Sequence, residues 1–108
     1  MPNLQLALKS EYFDAIKSGE KVEEFRLYND YWKKRLVGRD YKQIILTKGY
    51  PKRDDESRKM YFQYSYYKVK TITHPHFGDE PVKVFAIRVD QELISVLDLE
   101  LFRAGMLD

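Results

Sequence analysis

Cysteine is absent from the 108 residues of this chain, and that absence excludes several kinds of protein. Without a thiol there can be no disulfide framework, no cysteine zinc site and no cysteine nucleophile. Long apolar runs are missing as well: the longest has four residues, 84–87, whereas a membrane-spanning helix needs about 20. The first residues lack the basic and apolar segments of a signal peptide. We therefore expect a cytoplasmic protein with no membrane anchor.

Glycine and proline are scarce, with five and four residues, and they occur singly, as is typical of turns. No glycine-rich phosphate loop, internal repeat, low-complexity tract or linker can be recognised. The composition, with 44% apolar and 33% charged residues, predicts one domain over residues 1–108. We expect a monomer without a cofactor or a bound metal.

Positive charge is concentrated in the middle of the chain. The net charge is only +2, but residues 33–70 hold twelve basic and four acidic side chains and seven aromatic ones. Basic groups interleaved with aromatic rings suit a single-stranded nucleic acid, whose bases can stack. The alternative is a solvated face of an amphipathic sheet. The candidates for nucleic-acid contacts are Lys33, Lys34, Arg35, Arg39, Arg58, Lys68, Lys70, Tyr61 and Tyr67.

The periodicity of apolar residues predicts a mixture of strands and helices. Strands are expected over residues 4–8, 21–28, 41–50, 59–73 and 82–89. Ser10 offers an N-cap for a first helix, which ends at Gly19. Asn29 or Asp30 offers an N-cap for a second helix, which ends at Gly38. An apolar stripe after residue 92 predicts a third helix, which could dock a partner protein. The result is an α+β fold, a small β-barrel of five to six strands with two to three helices.

The longest predicted strand changes phase midway. Apolar and aromatic residues occupy even positions from Met60 to Tyr66, but Val69 and Thr71 occupy odd positions. A strand has a period of two, so the change predicts a bulge or bend near residues 66 and 67. Within this segment Phe62 should be buried, and at least one of Tyr61 and Tyr67 should be exposed. Trp32, on an apolar helix face, is interpreted as a core anchor.

The most informative segment follows the first helix, where Gly19, Lys21, Glu24 and Arg26 form the pattern G-x-K-x-x-E-x-R. This pattern resembles the signature of the ASCH family, a branch of the PUA-like superfamily of small β-barrels associated with RNA. The resemblance covers roughly residues 4–90. It implies a PUA-like barrel, a ligand cleft beneath the first helix, and RNA or a modified nucleotide as the partner.

The chemistry of this motif depends on whether its three charged side chains converge. In a regular strand, Glu24 and Arg26 point to the same face, whereas Lys21 would point to the opposite face. Lys21 can therefore reach them only if it lies in a turn before the strand. A carboxylate between two cations leaves an excess of +1, which suits a phosphate or the polar edge of a base. In that case Lys21, Glu24 and Arg26 bind the ligand. The alternative is an ordinary surface ion pair.

The resemblance also implies an enzymatic alternative. One ASCH branch hydrolyses the amide of acetylated cytidine with the motif lysine and a threonine. Lys21 matches that lysine, but Glu24 stands where that branch has threonine, and a carboxylate there favours the charged, non-nucleophilic lysine. If the protein is an enzyme, the candidate catalytic pair is Lys21 with Glu24, acting on an acylated pyrimidine nucleoside such as N4-acetylcytidine.

Two histidines, His74 and His76, lie in a segment rich in proline and glycine, close to Asp79. Imidazoles and a carboxylate can bind zinc, and a histidine pair can supply the acid and base of a ribonuclease. The turn residues around them favour an exposed loop instead. We therefore predict no metal here, with RNA cleavage as an alternative.

Overall fold

The computed structural model describes residues 2–90 and Glu92, which form an α+β fold with six strands and two α-helices. The α+β prediction is confirmed, whereas the predicted tail helix lies outside the described residues. The elements in chain order are β1 (Leu4–Leu8), α1 (Ser10–Lys17), β2 (Glu23–Leu27), α2 (Asp30–Leu36), β3 (Gln43–Lys48), β4 (Lys59–Gln63), β5 (Tyr67–Ile72) and β6 (Val82–Arg88). Short 3₁₀ turns lie at Glu56–Arg58 and Pro75–Phe77.

The strands form two sheets of three. Sheet one has the order β1-β3-β4, in which β1 runs parallel and β4 antiparallel to β3. Sheet two has the order β2-β6-β5, with both outer strands antiparallel to β6. The chain crosses from sheet one to sheet two through α1 and returns through α2.

The prediction of a barrel is wrong in one respect: strand pairing among the described residues does not close the two sheets into a barrel. The reason lies in the predicted strand over residues 59–73, which is two strands in different sheets. Pairing with β3 ends at Gln63, residues 64–66 are not in a strand, and β5 begins in sheet two at Tyr67. The predicted change near residues 66 and 67 is thus confirmed as a switch between sheets. A single bridge, Phe62 to Glu92, pairs β4 with the chain beyond β6.

The core is built from alternate residues of sheet one and from both faces of β6. Leu4, Leu6 and Leu8 are buried along β1, as are Ile44 and Leu46 along β3. In β6 the four consecutive residues 84–87 are all buried, so both faces of that strand are covered. One continuous apolar cluster joins these strands to both helices.

The two helices differ in how they begin. The prediction that Ser10 caps α1 is wrong, because Ser10 is the first helical residue and Lys9, which precedes it, makes no side-chain cap. The cap of α2 is confirmed, since Asn29 Oδ1 accepts a hydrogen bond from the Trp32 amide at 3.0 Å. Among the described residues, neither helix has the length and apolarity needed to cross a bilayer.

Candidate functional site

The turn between α1 and β2 determines where Lys21 lies. Gly19, just past the helix, has a φ of 86°, a conformation that glycine adopts without steric cost. The Lys21 amide then donates back to the Ala15 carbonyl at 3.0 Å, and β2 begins only at Glu23. Because Lys21 precedes the strand, the alternation of strand side chains does not direct it away from Glu24.

The three charged residues of the motif converge. Lys21 Nζ lies 3.1 Å from Glu24 Oε1, and Arg26 Nη2 lies 3.1 Å from Glu24 Oε2. Glu24 is only 4% exposed, and its Oε1 also accepts from the Phe25 amide at 3.3 Å. Each oxygen of a buried carboxylate therefore faces one cation, which is the arrangement that makes burial of the charge tolerable. The cluster keeps a local excess of one positive charge.

Arg26 also connects the two sheets. Its Nη2 donates to the Ala7 carbonyl of β1 at 3.2 Å, and its guanidinium carbon lies 5.2 Å from the centre of the Trp32 ring. Arg26 Nε is buried and has no hydrogen-bond partner in the part of the chain that the structure describes. The side chain is held by a carboxylate, a carbonyl and an aromatic face, and it retains unused donor capacity.

Aromatic rings surround the ammonium group of Lys21. Its Nζ lies 4.7 Å from the centre of the Tyr12 ring and 5.0 Å from that of Phe25. The His74 ring packs edge-on against Tyr12 at 5.5 Å and lies 6.0 Å from Phe25. Because cation–π contacts and the Glu24 carboxylate act on one group, the position of Lys21 is well defined.

The histidine segment forms one wall of the site, which the sequence did not indicate. The predicted exposed loop is confirmed for most of this segment, including His76, whereas His74 is half-buried. Its Nδ1 accepts a hydrogen bond from the His76 amide at 3.1 Å, while Phe77 packs on both imidazoles. With Nδ1 acting as the acceptor, the neutral ring carries its proton on Nε2 and can donate from that atom.

Together these residues enclose a cleft of about 230 Å³, here called the motif cleft. Its lining comprises Ala7, Leu8, Lys9, Tyr12, Lys21, Glu24, Phe25, Arg26, His74, His76 and Phe77. Burial, followed by the charges of Glu11 and Glu24, raises the pKa of Tyr12 above its ordinary value. The Tyr12 hydroxyl is therefore a protonated donor at neutral pH.

A metal site is not supported in this region. Across residues 2–90, no three His, Asp or Glu side chains are grouped so as to hold a metal ion. His74 and His76 share a turn, but Asp79 does not complete a ligand set with them. The histidines instead belong to the wall of the motif cleft.

Four of the predicted nucleic-acid contacts lie on or just after α2, namely Lys33, Lys34, Arg35 and Arg39. Lys33 Nζ lies 4.4 Å from the Tyr28 ring centre, and the Arg35 guanidinium lies 4.3 Å from that of Tyr31. Arg39 Nε donates to the Lys34 carbonyl at 3.1 Å. None of the four lines the motif cleft, and Lys33 and Arg35 are already stacked on tyrosines.

The other three predicted basic contacts lie elsewhere. Arg58 is 3.5 Å from Asp55, and Lys70 on β5 is 2.7 Å from Glu23. Lys68 is exposed on β5. None of the three lines the motif cleft, so the structure does not gather the predicted basic residues into one site.

The tyrosines predicted to stack on bases are less accessible than expected. Phe62 is buried, as predicted, but Tyr61 and Tyr67 are both half-buried, so the expectation that one is exposed is wrong. The Tyr61 hydroxyl donates to Glu56 Oε2 at 2.7 Å, and burial, then this bond, raises the pKa of Tyr61 to about 12. Tyr67 packs against Phe85 with ring centres 5.1 Å apart.

A second cleft, of about 690 Å³, lies on the other side of Arg26. Its charged and aromatic lining consists of Arg26, Arg53, Lys59, Tyr31, Trp32 and Tyr50. Trp32 packs against the core with part of its ring, as predicted, and also borders this cleft. These residues come from β2, α2, the loop after β3 and the start of β4, so no local sequence pattern joins them.

Comparisons of the chain with protein-family models, with curated protein sequences and with solved structures find no match. The resemblance to the ASCH signature therefore rests on the four motif residues and on the order of the elements. The candidate site is defined by its own geometry.

Proposed function

We propose that this protein binds single-stranded RNA or a modified nucleotide and recognises one base in the motif cleft. The observation that carries the proposal is the buried Glu24 carboxylate held between Lys21 and Arg26 on the floor of an aromatic cleft. The ASCH-like motif supports it, since that family belongs to the RNA-associated, PUA-like superfamily. Membership of that family is part of the same proposal.

The size of the motif cleft favours a base over a larger ligand. Sites for drug-sized ligands measure about 300–1,000 Å³, and the motif cleft, at about 230 Å³, is smaller. Only part of a nucleotide can be enclosed. We assign the enclosed part to the base and leave the sugar and phosphate at the rim.

The functional groups of the cleft match the polar edge and the flat faces of a base. Lys21 and Arg26 are donors, Glu24 is an acceptor, and His74 Nε2 is a further donor. Tyr12 and Phe25 supply aromatic surface for the faces of the ring. The ion pairs and hydrogen bonds hold these groups before the ligand arrives, so binding orders few side chains.

A nucleotide panel tests the proposal. Cytidine, N4-acetylcytidine and the four ribonucleoside 5′-monophosphates are titrated into labelled protein while NMR chemical shifts are recorded. We expect the largest shifts at Lys21, Glu24 and His74. Lys21→Gln should weaken binding, and Lys42→Gln should not, because Lys42 is exposed and lies outside both clefts. Unchanged affinity in a folded Lys21→Gln protein would refute the proposal.

An enzymatic function is the second candidate, and the placement of the histidines favours ribonuclease activity over amide hydrolysis. His74 and His76 both line the motif cleft, as an acid and a base for RNA cleavage would need to do. Lys21, by contrast, forms an ion pair with Glu24, and an ammonium group has no lone pair for attack. Incubation with an RNA octanucleotide and with N4-acetylcytidine separates the two activities. Loss of RNA cleavage in both His74→Gln and His76→Gln proteins would support the ribonuclease.

A further inference from the structure

The second cleft has the lining expected of a nucleic-acid groove. Three cations, Arg26, Arg53 and Lys59, face it, and its lining includes no carboxylate from the described part of the chain. The same walls carry Tyr31 and Tyr50, which are 56% and 96% exposed. Exposed aromatic faces beside cations are the combination by which proteins bind single strands without reading sequence.

The backbone around Tyr50 is fixed although its side chain is in solvent. The Gly49 amide donates to the Leu8 carbonyl at the end of β1, at 2.8 Å, and Thr47 Oγ1 donates to the Gly49 carbonyl at 2.8 Å. Tyr50 follows directly, so its ring stands at the rim of the cleft on an anchored turn. Such a ring can stack on a base with little loss of backbone entropy.

Arg53 is the most accessible cation of this cleft, because Arg26 is held by Glu24 and Lys59 is half-buried. Lys59 donates to the Arg53 carbonyl and lies 3.8 Å from Glu56, so part of its charge is balanced outside the lining. The exposed Arg53 guanidinium presents a planar fork that matches phosphate oxygens. Tyr31 is supported from outside the lining by the stacked Arg35, one of the predicted basic contacts.

The two clefts meet at one contact. Both are lined by Ala7 and Arg26, and the Arg26 side chain donates to the Ala7 carbonyl between them. A ligand held in the motif cleft by Arg26 therefore has the second cleft directly beside it. The two clefts are thus neighbours separated by one side-chain contact.

We propose that the second cleft binds the nucleotides next to the recognised base on the same RNA strand, with a base stacked on Tyr50 and a phosphate on Arg53. This inference rests on the proposed function. It adds that the ligand is an oligonucleotide and that a free nucleotide occupies only the motif cleft.

The test compares a long and a short probe on matched variants. Binding of a fluorescent RNA octanucleotide of random sequence is measured by anisotropy, and binding of cytidine 5′-monophosphate by NMR. Tyr50→Ala should weaken octanucleotide binding about 5- to 150-fold, since each stacked base contributes on that scale, and should leave the monophosphate affinity unchanged. Arg53→Gln should act similarly. The controls are Tyr66→Ala and Lys52→Gln, which change an exposed tyrosine and a lysine of the same loop outside the cleft.

The outcomes separate this inference from the proposed function. If neither Tyr50→Ala nor Arg53→Gln affects octanucleotide binding, the second cleft does not bind RNA, and the proposal for the motif cleft is unaffected. Octanucleotide binding that depends on Tyr50 and Arg53, without monophosphate binding, supports the second cleft and overturns base recognition in the motif cleft. Equal competition by polyglutamate would show that the cleft takes acidic protein and would overturn the inference, as would a wild-type protein that binds neither probe.

Discussion

Glu24 is a buried acid whose two neighbours of opposite charge hold it in place. Lys21 and Arg26 each contact a different oxygen, and the side chains of both are only about a fifth exposed, at 18% and 20%. Removing one partner of a buried pair leaves an uncompensated charge, which costs far more than loss of a surface pair. The cluster therefore contributes to stability as well as presenting the groups that a base would contact.

Substitution of Glu24 tests this stabilising role. Glu24→Gln leaves both cations without a counter-charge, and we expect the free energy of unfolding to fall by about 3 kcal/mol, the lower end for a buried pair, because both cations are partly exposed. Lys21→Gln should cost less, because Glu24 keeps its contact with Arg26. Urea denaturation of the two variants measures the difference. If the two variants were equally stable, the carboxylate would not be the centre of the cluster.

Tyr61 provides a test in alkaline solution. Its pKa in the folded protein is about 12, above the ordinary value of 10.0 that applies when the chain is unfolded. The stabilisation by the protonated hydroxyl is thus fully present below pH 10 and is lost as the pH rises toward 12. Between these values wild type should lose more stability than Tyr61→Phe. Parallel pH dependences in the two proteins would contradict the raised pKa.

At the scale of elements, the short connection from α1 to β2 positions Lys21 in the motif cleft. Gly19 and Gly38 both have a positive φ, 86° and 69°, and both lie just beyond a helix with open space around the missing Cβ. Only Gly19 leads into the turn that positions Lys21. The two glycines therefore form a matched pair for separating backbone strain from function.

Alanine substitution of each glycine should have the same effect on stability and different effects on binding. A left-handed conformation costs an alanine about 1–2 kcal/mol, so both Gly19→Ala and Gly38→Ala should lower the free energy of unfolding by that amount. Gly19→Ala should also weaken nucleotide binding, since the turn that presents Lys21 is displaced. Denaturation and the monophosphate titration measure the two effects. Equal binding by both variants would show that the turn does not position the lysine.

The parts of the fold that local sequence could predict are those that local chemistry determines. The Asn29 cap depends on one side chain and an amide three residues later, and the pairing of Glu24 with Arg26 depends on strand alternation. Ser10 failed as a cap because the preceding residue, Lys9, already adopts the extended conformation from which the helix starts. Which residue caps a helix is decided by the backbone that enters it.

The rest could not be predicted because it depends on contacts between distant segments. The change of phase within residues 59–73 predicts a bulge or bend, but only pairing with β3 and then with β6 shows that it divides them between two sheets. His74 reaches the motif cleft by packing on Tyr12, which lies on a different element. The second cleft joins α2 to the turn after β3 in the same way. The spacing of residues in the sequence does not indicate such contacts between distant segments.

At the scale of the whole molecule, the basic and aromatic residues are divided among several surfaces. The motif cleft holds a base-sized volume, the second cleft adds cations and exposed rings, and α2 carries three further basic residues. Under the proposed function, general affinity for a polyanion and selectivity for one base would reside on different surfaces. Phosphate contacts respond to salt, and contacts to a base do so far less.

Salt dependence therefore reports which surfaces an RNA strand occupies. For a single strand, log K falls against log salt with a slope of about −0.7 per phosphate neutralised. With two or three phosphates held around the second cleft, the slope is about −1.4 to −2.1, and octanucleotide affinity drops about 7- to 18-fold between roughly 50 and 200 mM salt. Arg53→Gln should flatten the slope by about 0.7, whereas Tyr50→Ala should lower affinity at every salt concentration and leave the slope unchanged. A slope near zero in wild type would mean that RNA binds without phosphate contacts, and the cations of the second cleft would then have no part in binding.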